Sequence, residues 1–383
     1  MTLSLLKTII QRKKYLENKL KMNFSAISVY PKNLDNAQHK NCENMIGATQ
    51  IPLGIAGPLK VSGNYTEGSF FLPLATTEGA LVASVNRGCK AATLSGGVRS
   101  FCQDVGITRG SVFKTPGLKD SFILKKFLQD NFSRLKKLAA ATSSHLQLIA
   151  LQTKIVGNLL YIRFSYDSQE AMGMNMVTIA TDKLVQFISL KTGNLCLSVA
   201  ANFDVDKKPS YLNFIEGRGR QVWAEAVISA PIIRDVLKTS ASKIDEVVRL
   251  KCYLGSIISG SLGFNAHFAN ILSALFIALG QDVAHVAEGS IGLTTTEIVN
   301  NNLYISVYLP DLPLGTIGGG TSLPAQQEAL RILNVTAGEK GEKARKLAEI
   351  VGAAVLAGEL SLLSALSVGQ LASSHMKLAR NGS

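Results

Sequence analysis

The stretch Leu74-Ala-Thr-Thr-Glu-Gly-Ala-Leu-Val-Ala-Ser-Val-Asn-Arg-Gly-Cys-Lys90 joins a short acidic turn to a helical pattern. Apolar residues recur at helical spacing from Leu81, and Glu78 stands just before them. Thr76 and Thr77 are residue types that cap helices, and a carboxylate in a first turn is stabilised by free amide groups. The stretch predicts a helix that starts near Glu78. It leaves two roles open for that acid, a helix cap or a reactive group.

Other polar strings in the chain favour a reactive group. They combine charged, amide and imidazole side chains in irregular order, and they are Asp206-Lys-Lys-Pro209, Gly263-Phe-Asn-Ala-His-Phe-Ala-Asn270, Gln281-Asp282 and Ser374-His-Met376. Each has a plainer interpretation alone: a solvated turn at Lys207, a surface acid at Asp282, a solvated terminal imidazole at His375. Helix capping at Glu78, however, predicts none of them.

Length and composition indicate a compact protein of two or three domains. The chain has 383 residues, of which 46% are hydrophobic, with 33 Gly and 10 Pro, and it has no internal repeat or low-complexity tract. Its five cysteines are scattered and form no CxxC pair. We therefore expect reduced thiols in the cytoplasm, an architecture that mixes helices with strands, and no metal site.

The net charge of +13 raises the hypothesis of a nucleic-acid-binding protein. Residues 1–40 alone contain eight Lys or Arg against Glu17 and Asp35, so much of the excess lies in one solvated arm. The remaining basic residues suit small polyanions. The apolar start is interrupted by Lys7, and the run Ile271–Leu279 is too short to cross a bilayer. We expect no nucleic-acid or membrane partner.

The pattern along the chain divides it into three parts. A helical N-terminal segment, 1–42, contains an amphipathic helix over 3–21. A large domain comprises 43–110 and 201–383, and a small α+β domain, 111–200, is inserted into it.

Within these parts the periodicity predicts particular elements. The predicted helices cover 122–141, 222–236, 264–280 and 342–371, and the predicted strands cover 146–154 and 159–164. A standard Rossmann domain is disfavoured, because the chain has no GxGxxG string.

Taken together, the motifs resemble those of the hydroxymethylglutaryl-CoA reductase family. The matching strings follow the family's order from about residue 43 to 380, and besides those quoted above they are Glu43-Asn-Met-Ile-Gly47, Pro52 to Pro58, Thr108-Arg-Gly110, Tyr161-Ile-Arg-Phe164, Ala171-Met-Gly-Met-Asn-Met176, Ile215-Glu-Gly-Arg-Gly219, Gly315-Thr-Ile-Gly-Gly-Gly-Thr321 and Ala357-Gly-Glu-Leu-Ser361. The chain resembles the soluble catalytic portion of class I-like members, without the membrane-anchoring half of eukaryotic relatives.

The resemblance implies an α+β fold. A large substrate-binding domain with central long helices would carry an inserted small ferredoxin-like, non-Rossmann NADP-binding domain and the helical N-terminal segment. In the family the active site lies across a dimer interface, with Glu43 to Gly47 near it. The chain is therefore expected to form a homodimer or a higher homo-oligomer.

The implied activity is NADPH-dependent, four-electron reduction of (S)-3-hydroxy-3-methylglutaryl-CoA to (R)-mevalonate and coenzyme A, with two NADPH per turnover, for isoprenoid synthesis. By resemblance, Lys207 donates to the carbonyl oxygen, and Asp282 is buried between Lys207 and Glu78. Glu78, kept protonated by burial and by the nearby carboxylate, delivers a proton to the second oxyanion. His375 protonates the departing thiolate of coenzyme A, and its place near the terminus implies a mobile flap.

The binding residues also follow from the resemblance. Those expected to hold the substrate are Ser84, Asn86, Arg87, Arg109, Asn202, Lys208, Lys238, Lys251 and Asn270. Those expected to hold the dinucleotide are Ser133, Arg134, Glu170, Met172, Gly173, Met174, Asn175, Gly319, Gly320 and Thr321. Ser133 and Arg134 match the family's phosphate-binding pair, which favours NADPH because a 2'-phosphate needs charge-assisted donors.

Two other functions stay open, and three departures from the family are visible. The enzyme could oxidise mevalonate with NAD, as degradative relatives do, or the chain could be a basic nucleic-acid-binding protein on an inactive enzyme fold. Ala200 replaces a family serine near the substrate oxygen, and Glu170 replaces an aspartate. Asn381 stands where animal members have a regulatory phosphoserine, which argues against that switch here.

Overall fold

The structure, a computed structural model, describes residues 3–369. Its α-helices, α1 to α13 in chain order, are Ile9–Leu20, Leu81–Leu94, Leu118–Asp130, Phe132–Ala140, Met174–Thr192, Tyr211–Glu216, Ala230–Ile232, Ala241–Val247, Ser256–Ser259, Phe268–Leu279, Val286–Gly289, Pro324–Ile332 and Glu342–Leu366. Its strands, β1 to β9, are Leu53–Gly63, Glu67–Ala75, Val98–Lys114, Gln147–Val156, Leu159–Asp167, Leu195–Ser198, Gly219–Ile228, Leu293–Val299 and Asn302–Leu309. Tighter or wider helical turns span Leu3–Leu5, Ala26–Ser28, Lys32–His39, Ile233–Leu237, Val248–Gly255, Val283–His285 and Gly319–Ser322.

The larger sheet has the strand order β2-β1-β3-β7-β9-β8. Strands β1 and β3 are parallel, and the other neighbours are antiparallel. Helices α2, α10 and α13 pack against this sheet and share one apolar core with it. Gly88 of α2 lies so close to the Ala357 carbonyl of α13 that a Cβ there would collide with it. These two helices therefore approach each other at backbone distance.

Helix α13 is the central helix of this core. Its 25 residues are long and apolar enough to cross a membrane by length and composition, but 94% of the apolar window is buried inside the protein. It buries two carboxylates, and both are satisfied by backbone amides: Glu349 by Asn64 and Tyr65, and Glu359 by Ala266 and His267. Helix α13 therefore has the character of a core helix of a globular protein.

The smaller sheet has the strand order β4-β5-β3-β6, and all its neighbours are antiparallel. Along the chain the elements follow as strand, helices α3 and α4, two strands, helix α5, strand. A second apolar core, separate from the first, lies between this sheet and its helices.

Strand β3 belongs to both sheets. Its residues from Arg99 to Gly106 pair with β7, and those from Ile107 to Lys114 pair with β5. Gly106 has a φ of 87° at the change of partner, a conformation that favours glycine. The domain boundaries after residues 42, 110 and 200 stay predictions, whereas the change of sheet falls within β3.

The N-terminal helix is confirmed, although it is shorter than the predicted span of 3–21. Helix α1 starts at Ile9, where Thr8 and Gln11 form a reciprocal capping box. Ile9 packs with Ala37 and Met45 in a small cluster against Leu323. This cluster packs the first 45 residues against the segment that precedes α12.

Several predicted elements are confirmed and two are corrected. Strands β4 and β5 and helices α10 and α13 lie close to where periodicity placed them, whereas the single helix predicted over 122–141 is two helices, α3 and α4. The predicted helix over 222–236 is wrong, because Gly219–Ile228 is strand β7, in which Val222, Ala224, Ala226 and Ile228 are buried on one face. Alanine favours helices, but the period of two decided the structure.

Candidate active site

The lysine predicted to be the reactive cation lies in a strained loop, 202–208. Asn202, Val205 and Lys207 have φ values of 59°, 52° and 58°, and this left-handed region is a genuine outlier for a β-branched residue. Strain of this kind persists only where surrounding contacts fix the backbone, and it is common at functional sites. The loop is fixed by several buried side chains.

Three hydrogen bonds hold the loop backbone. Thr108 Oγ1 donates to the Asp204 carbonyl at 2.9 Å, and Asn213 Nδ2 donates to the Val205 carbonyl at 3.1 Å. The Lys207 amide donates to Glu288 Oε1 at 3.2 Å. The conformation of Lys207 therefore depends on a buried carboxylate of another element, α11.

Beneath the loop lies a buried ionic network centred on Arg218. Its Nη1 lies 2.8 and 2.9 Å from the two oxygens of Glu288, and its Nη2 lies 3.0 Å from Asp206 Oδ1. Arg218 and Glu288 are fully buried. Although burial works to raise the pKa of Glu288, the hydrogen bond from His285 and the charge of Arg218 lower it. Burial and the charge of Glu288 raise the pKa of Asp311, which accepts from Asn213 Nδ2 at 2.7 Å.

Asp206, His285 and Glu288 have ligand atoms within 4.8 Å of one another, a grouping that could hold a metal ion. The guanidinium of Arg218 contacts both carboxylates, however, and supplies the positive charge there. We therefore interpret the cluster as an ion-pair network.

Lys207 and Asp282, which the family resemblance placed side by side, form an ion pair. Lys207 Nζ lies 2.7 Å from Asp282 Oδ2. Asp282 Oδ1 also accepts from the Ala284 amide at 3.1 Å. Although partial burial works to raise the pKa of Asp282, these hydrogen bonds and the charges of Lys207 and His285 lower it. The family resemblance implied a buried Asp282, and the structure corrects this expectation. In the single chain the Lys207 side chain is 40% exposed and the Asp282 side chain is 36% exposed.

Glu78 lies before its helix and not in it. Helix α2 begins at Leu81, after an Ala80 with a φ of 73°, and Thr76 Oγ1 accepts the Glu78 amide at 2.9 Å in the preceding turn. The Glu78 side chain is exposed, and its Oε2 accepts from Asn270 Nδ2 at 2.7 Å. The structure thus corrects the expectation of a buried Glu78 at a helix start.

The structure brings the predicted residues together as two pairs. Within residues 3–369, no hydrogen bond or ion pair links Glu78 and Asn270 to Lys207 and Asp282. Asn270 is held at the start of α10, where Glu359 binds the amides of Ala266 and His267. His375 lies outside the described residues, as does Asn381.

A cleft of about 470 Å³ opens beside Lys207 and Asp282. Its other walls are Lys40, Asn41, Ala171 to Met176, Gly280, Gln281, Gly315 and Ile317 to Thr321. The expected cofactor residues Met172, Gly173, Met174, Asn175, Gly319, Gly320 and Thr321 are among them. Lys207 and the loops expected to bind the dinucleotide therefore line one cavity.

The backbone of this cleft suits a phosphate. Helix α5 starts at Met174, and Gly173 before it has a φ of 97° and supplies no side-chain cap to the first turn. Such free amides bind anions. Gly280 and Gly320 touch backbone to backbone, since a Cβ on either would collide with the other residue. In the run Gly318 to Gly320, this contact inside the protein explains the glycine at position 320.

Glu170 supports the cleft from behind. Its carboxylate accepts from Thr316 Oγ1 at 2.7 Å, from the Lys343 amide at 3.1 Å and from the Ala344 amide at 2.8 Å. The last two amides belong to the first turn of α13. Glu170 is 5% exposed, so its side chain fixes the loop after β5 to the central helix.

Ser133 and Arg134 lie on the first turn of α4, and both are exposed. The Arg134 guanidinium stacks over Phe187 of α5, 5.1 Å from the ring centre. Phe187 lies 13 residues after Met174, or about 20 Å along the helix. This pair can contact the ligand of the cleft only if the ligand extends along α5.

Three of the residues expected to hold the substrate, Ser84, Asn86 and Arg87, lie on α2, and two of them contact Ser361 of α13. Ser84 Oγ lies 3.0 Å from Ser361 Oγ, and Arg87 Nη2 donates to the Ser361 carbonyl at 2.7 Å. Burial lowers the pKa of Arg87. Asn86 Oδ1 accepts the Gly57 amide at 2.9 Å. Lys238 is exposed at the end of Ile233–Leu237, with a φ of 60°.

Lys251 and Asn270 line a second cleft, of about 870 Å³. Pro209, which follows the loop 202–208, also lines this cleft. The three other expected substrate ligands, Arg109, Asn202 and Lys208, make bonds inside the protein. Arg109 lies 3.3 Å from Asp204 Oδ2, and Lys208 donates to Asn202 Oδ1 at 3.2 Å. These cations are therefore already paired with groups of the protein.

Sequence reasoning missed the residues that hold Lys207. Arg218 belongs to one of the family strings, but no motif in the sequence distinguishes its role, or that of His285 and Glu288, from a surface charge. The spacing of Asp282, His285 and Glu288, three residues apart, places them on neighbouring turns and could have indicated them.

Known proteins with similar sequences match nearly the whole chain. The family model described as hydroxymethylglutaryl-coenzyme A reductase matches residues 8–380. The chain is 49% identical over 375 residues to the 3-hydroxy-3-methylglutaryl-coenzyme A reductase of Methanocaldococcus jannaschii, covering 96% of this chain and 92% of that one. It is 46% identical to the Aeropyrum pernix protein of the same name, covering 97% and 89%.

A solved structure supports the fold. The class II 3-hydroxy-3-methylglutaryl-CoA reductase of Streptococcus pneumoniae, described as bound to NADPH, superposes with a TM-score of 0.68 at 18% identity. The superposition covers 94% of this chain and 97% of that chain. The likeness therefore extends over both sheets.

Proposed function

The chain belongs to the hydroxymethylglutaryl-CoA reductase family, and from that premise we propose that it reduces (S)-3-hydroxy-3-methylglutaryl-CoA to (R)-mevalonate and coenzyme A with two NADPH, for isoprenoid synthesis. The observation that carries the proposal is the single cleft that contains Lys207, Asp282 and the glycine-rich loops. NADPH would supply the hydrides. The chain supplies a cation for each oxyanion, a proton donor for oxygen and one for sulfur.

Each reactive residue has one role in this proposal. Lys207 donates to the oxygen that gains negative charge, and Asp282 orients Lys207 through their 2.7 Å contact. Glu78, oriented by Asn270, supplies the proton to the second oxyanion. His375 supplies the proton to the thiolate. Ser84, Asn86, Arg87, Arg109, Asn202, Lys208, Lys238, Lys251 and Asn270 hold the substrate.

The smaller sheet supports a ferredoxin-like dinucleotide-binding domain. Its strand-helix-strand-strand-helix-strand order and its antiparallel arrangement fit that topology. The dinucleotide would extend from the α5 N-terminus toward Ser133 and Arg134. We assign residues 111–200 to this domain, 43–110 and 201–383 to the substrate domain, and the cytoplasm as the location.

An assay that follows dinucleotide absorbance tests the activity. The purified chain should oxidise NADPH only when hydroxymethylglutaryl-CoA is present, and it should release free thiol in equal amount to mevalonate. A preference for NAD with mevalonate would favour the degradative direction. A chain that shifts nucleic acid in a salt-dependent manner and reduces nothing would overturn the proposal.

Arg134→Ala should weaken NADPH binding by about 1.5 to 3 kcal/mol, the range for a hydrogen bond to a charged group. NADH binding should hardly change, because NADH lacks the 2'-phosphate. Titration of dinucleotide fluorescence measures both constants. Lys136→Ala, an exposed change on the same helix, is the control. Equal losses for NADPH and NADH would mean that Arg134 does not contact the 2'-phosphate.

We further propose a homodimer or higher homo-oligomer with shared active sites. The two reactive pairs are exposed and unlinked within the described part of one chain, so a partner subunit could bring one pair to the other. Lys207→Ala and Glu78→Gln variants, each inactive alone, should regain activity when their subunits are mixed. A mixture that stays inactive although mixed oligomers form would contradict shared sites.

A further inference from the structure

We propose that His285 is a positioning residue that orients Asp282 and becomes its partner when Lys207 turns to the substrate oxygen. This inference rests on the proposed roles of Lys207 and Asp282. It assigns a function to an imidazole that lies beneath the reactive pair and touches neither the cleft nor the proposed ligands.

His285 lies between two carboxylates. Its Nδ1 makes a short hydrogen bond with Glu288 Oε1, and its Nε2 lies 3.8 Å from Asp282 Oδ2. Among residues 3–369, Asp282 provides the one carboxylate oxygen within 4.0 Å of Nε2. Because ionised Glu288 can only accept, Nδ1 must be the donor in that bond.

Nε2 of His285 has no hydrogen-bond partner among residues 3–369, and the side chain is fully buried. An unpaired buried polar atom is costly, so closing the gap to Asp282 is favourable. The imidazole is itself fixed, because Glu288 is held by two bonds from Arg218.

Lys207 and His285 approach the same oxygen. Lys207 Nζ lies 2.7 Å from Asp282 Oδ2, and His285 Nε2 lies on that oxygen's buried side. When Lys207 contacts an oxyanion on the substrate, Asp282 loses its closest cation. In the doubly protonated ring, whose Nδ1–H already donates to Glu288, the Nε2–H can donate to Asp282. This contact then compensates for the loss and keeps the carboxylate in place for the return of Lys207.

Two substitutions separate this role from a purely structural one. Asn places an amide near the position of Nδ1, so His285→Asn keeps a donor for Glu288 and removes the group that faces Asp282. Gln reaches further and places an amide near Nε2, so His285→Gln keeps the donor for Asp282 and loses the bond to Glu288. His285→Asn therefore removes the contact with Asp282, and His285→Gln removes the hydrogen bond with Glu288.

The expected results are opposite as well. His285→Asn should lower kcat by about 10-fold to 10²-fold, the scale of a small misplacement of a reactive group. Its KM for hydroxymethylglutaryl-CoA, its NADPH affinity by fluorescence titration and its Tm should stay near wild type. His285→Gln should retain most of kcat and lower Tm. The control is His145→Asn, at an exposed imidazole just before strand β4. It should leave kcat, KM, NADPH affinity and Tm unchanged.

A double-mutant cycle tests the link to Asp282. In an Asp282→Asn background, His285→Asn should change kcat little further, because interacting residues are not additive. Additive losses, or a loss of kcat in His285→Gln equal to that in His285→Asn, would overturn the proposal. If Lys207→Ala turned over normally, the proposed site itself would be wrong, and that result is distinct from a failure of His285 alone.

Discussion

Lys207→Ala should reduce neither the thioester nor the aldehyde intermediate at a useful rate. Both reductions form an oxyanion, and the removal of one preorganised donor costs about 10² to 10³ in kcat. The loss should be similar for hydroxymethylglutaryl-CoA and for free mevaldehyde. Steady-state rates with each substrate measure it.

The fold should survive this change. Lys207 Nζ contacts Asp282 at a partly exposed position, while the backbone of the loop is held by Thr108, Asn213 and Glu288. The Tm of Lys207→Ala should therefore stay near that of the wild type. The control is Lys243→Ala, at an exposed position of α8, and its Tm should also be unchanged. Near-normal turnover in Lys207→Ala would remove this residue from the mechanism.

His375→Gln should separate the two halves of the reaction. When the C–S bond of the thiohemiacetal breaks, the electron pair leaves on sulfur, and the thiolate takes a proton. Free mevaldehyde contains no sulfur and needs no such donor. Reduction of hydroxymethylglutaryl-CoA should fall by about 10² to 10⁴, the range for a lost general acid, while mevaldehyde reduction should continue.

Mevaldehyde reduction is the internal control of this experiment, because it uses the same protein, dinucleotide and cation. Added coenzyme A should not alter the result. Equal losses in both reactions would assign His375 to a shared step, such as closure over the ligands, and would exclude it as the acid for sulfur.

Long periodic segments could be predicted from the sequence. Helix α13 and strands β4 and β5 lie close to the ranges that their apolar patterns predicted. Strand β7 was mistaken for a helix, because its buried face uses Ala224 and Ala226, which favour helices when considered alone. The pairing of β7 with β3 and β9 overrode that preference.

The site could be predicted in part. Family strings led to Lys207 and Asp282, and the structure joins them at 2.7 Å. The strings did not indicate that Arg218, Glu288 and His285 fix this pair from below. Buried ionic partners come from distant segments, and no local period of the sequence reveals such contacts. Likewise, nothing in the stretch after Thr76 indicated that Glu78 would lie outside its helix.

The sharing of strand β3 by two sheets has a consequence for the order of folding. Gly106 of β3 pairs with Gly219 of β7. Between them in the chain lie strands β4, β5 and β6 of the smaller sheet and helices α3, α4 and α5. Once the smaller sheet and its helices form, Lys114 lies beside Leu195. The flexible chain that must close to pair β3 with β7 then shortens from about 110 residues to about 20. This lowers the entropic cost of closing the loop by roughly 1.5 kcal/mol. We therefore expect amides in β5 and α5 to become protected from hydrogen exchange before those at the junction of β3 with β7.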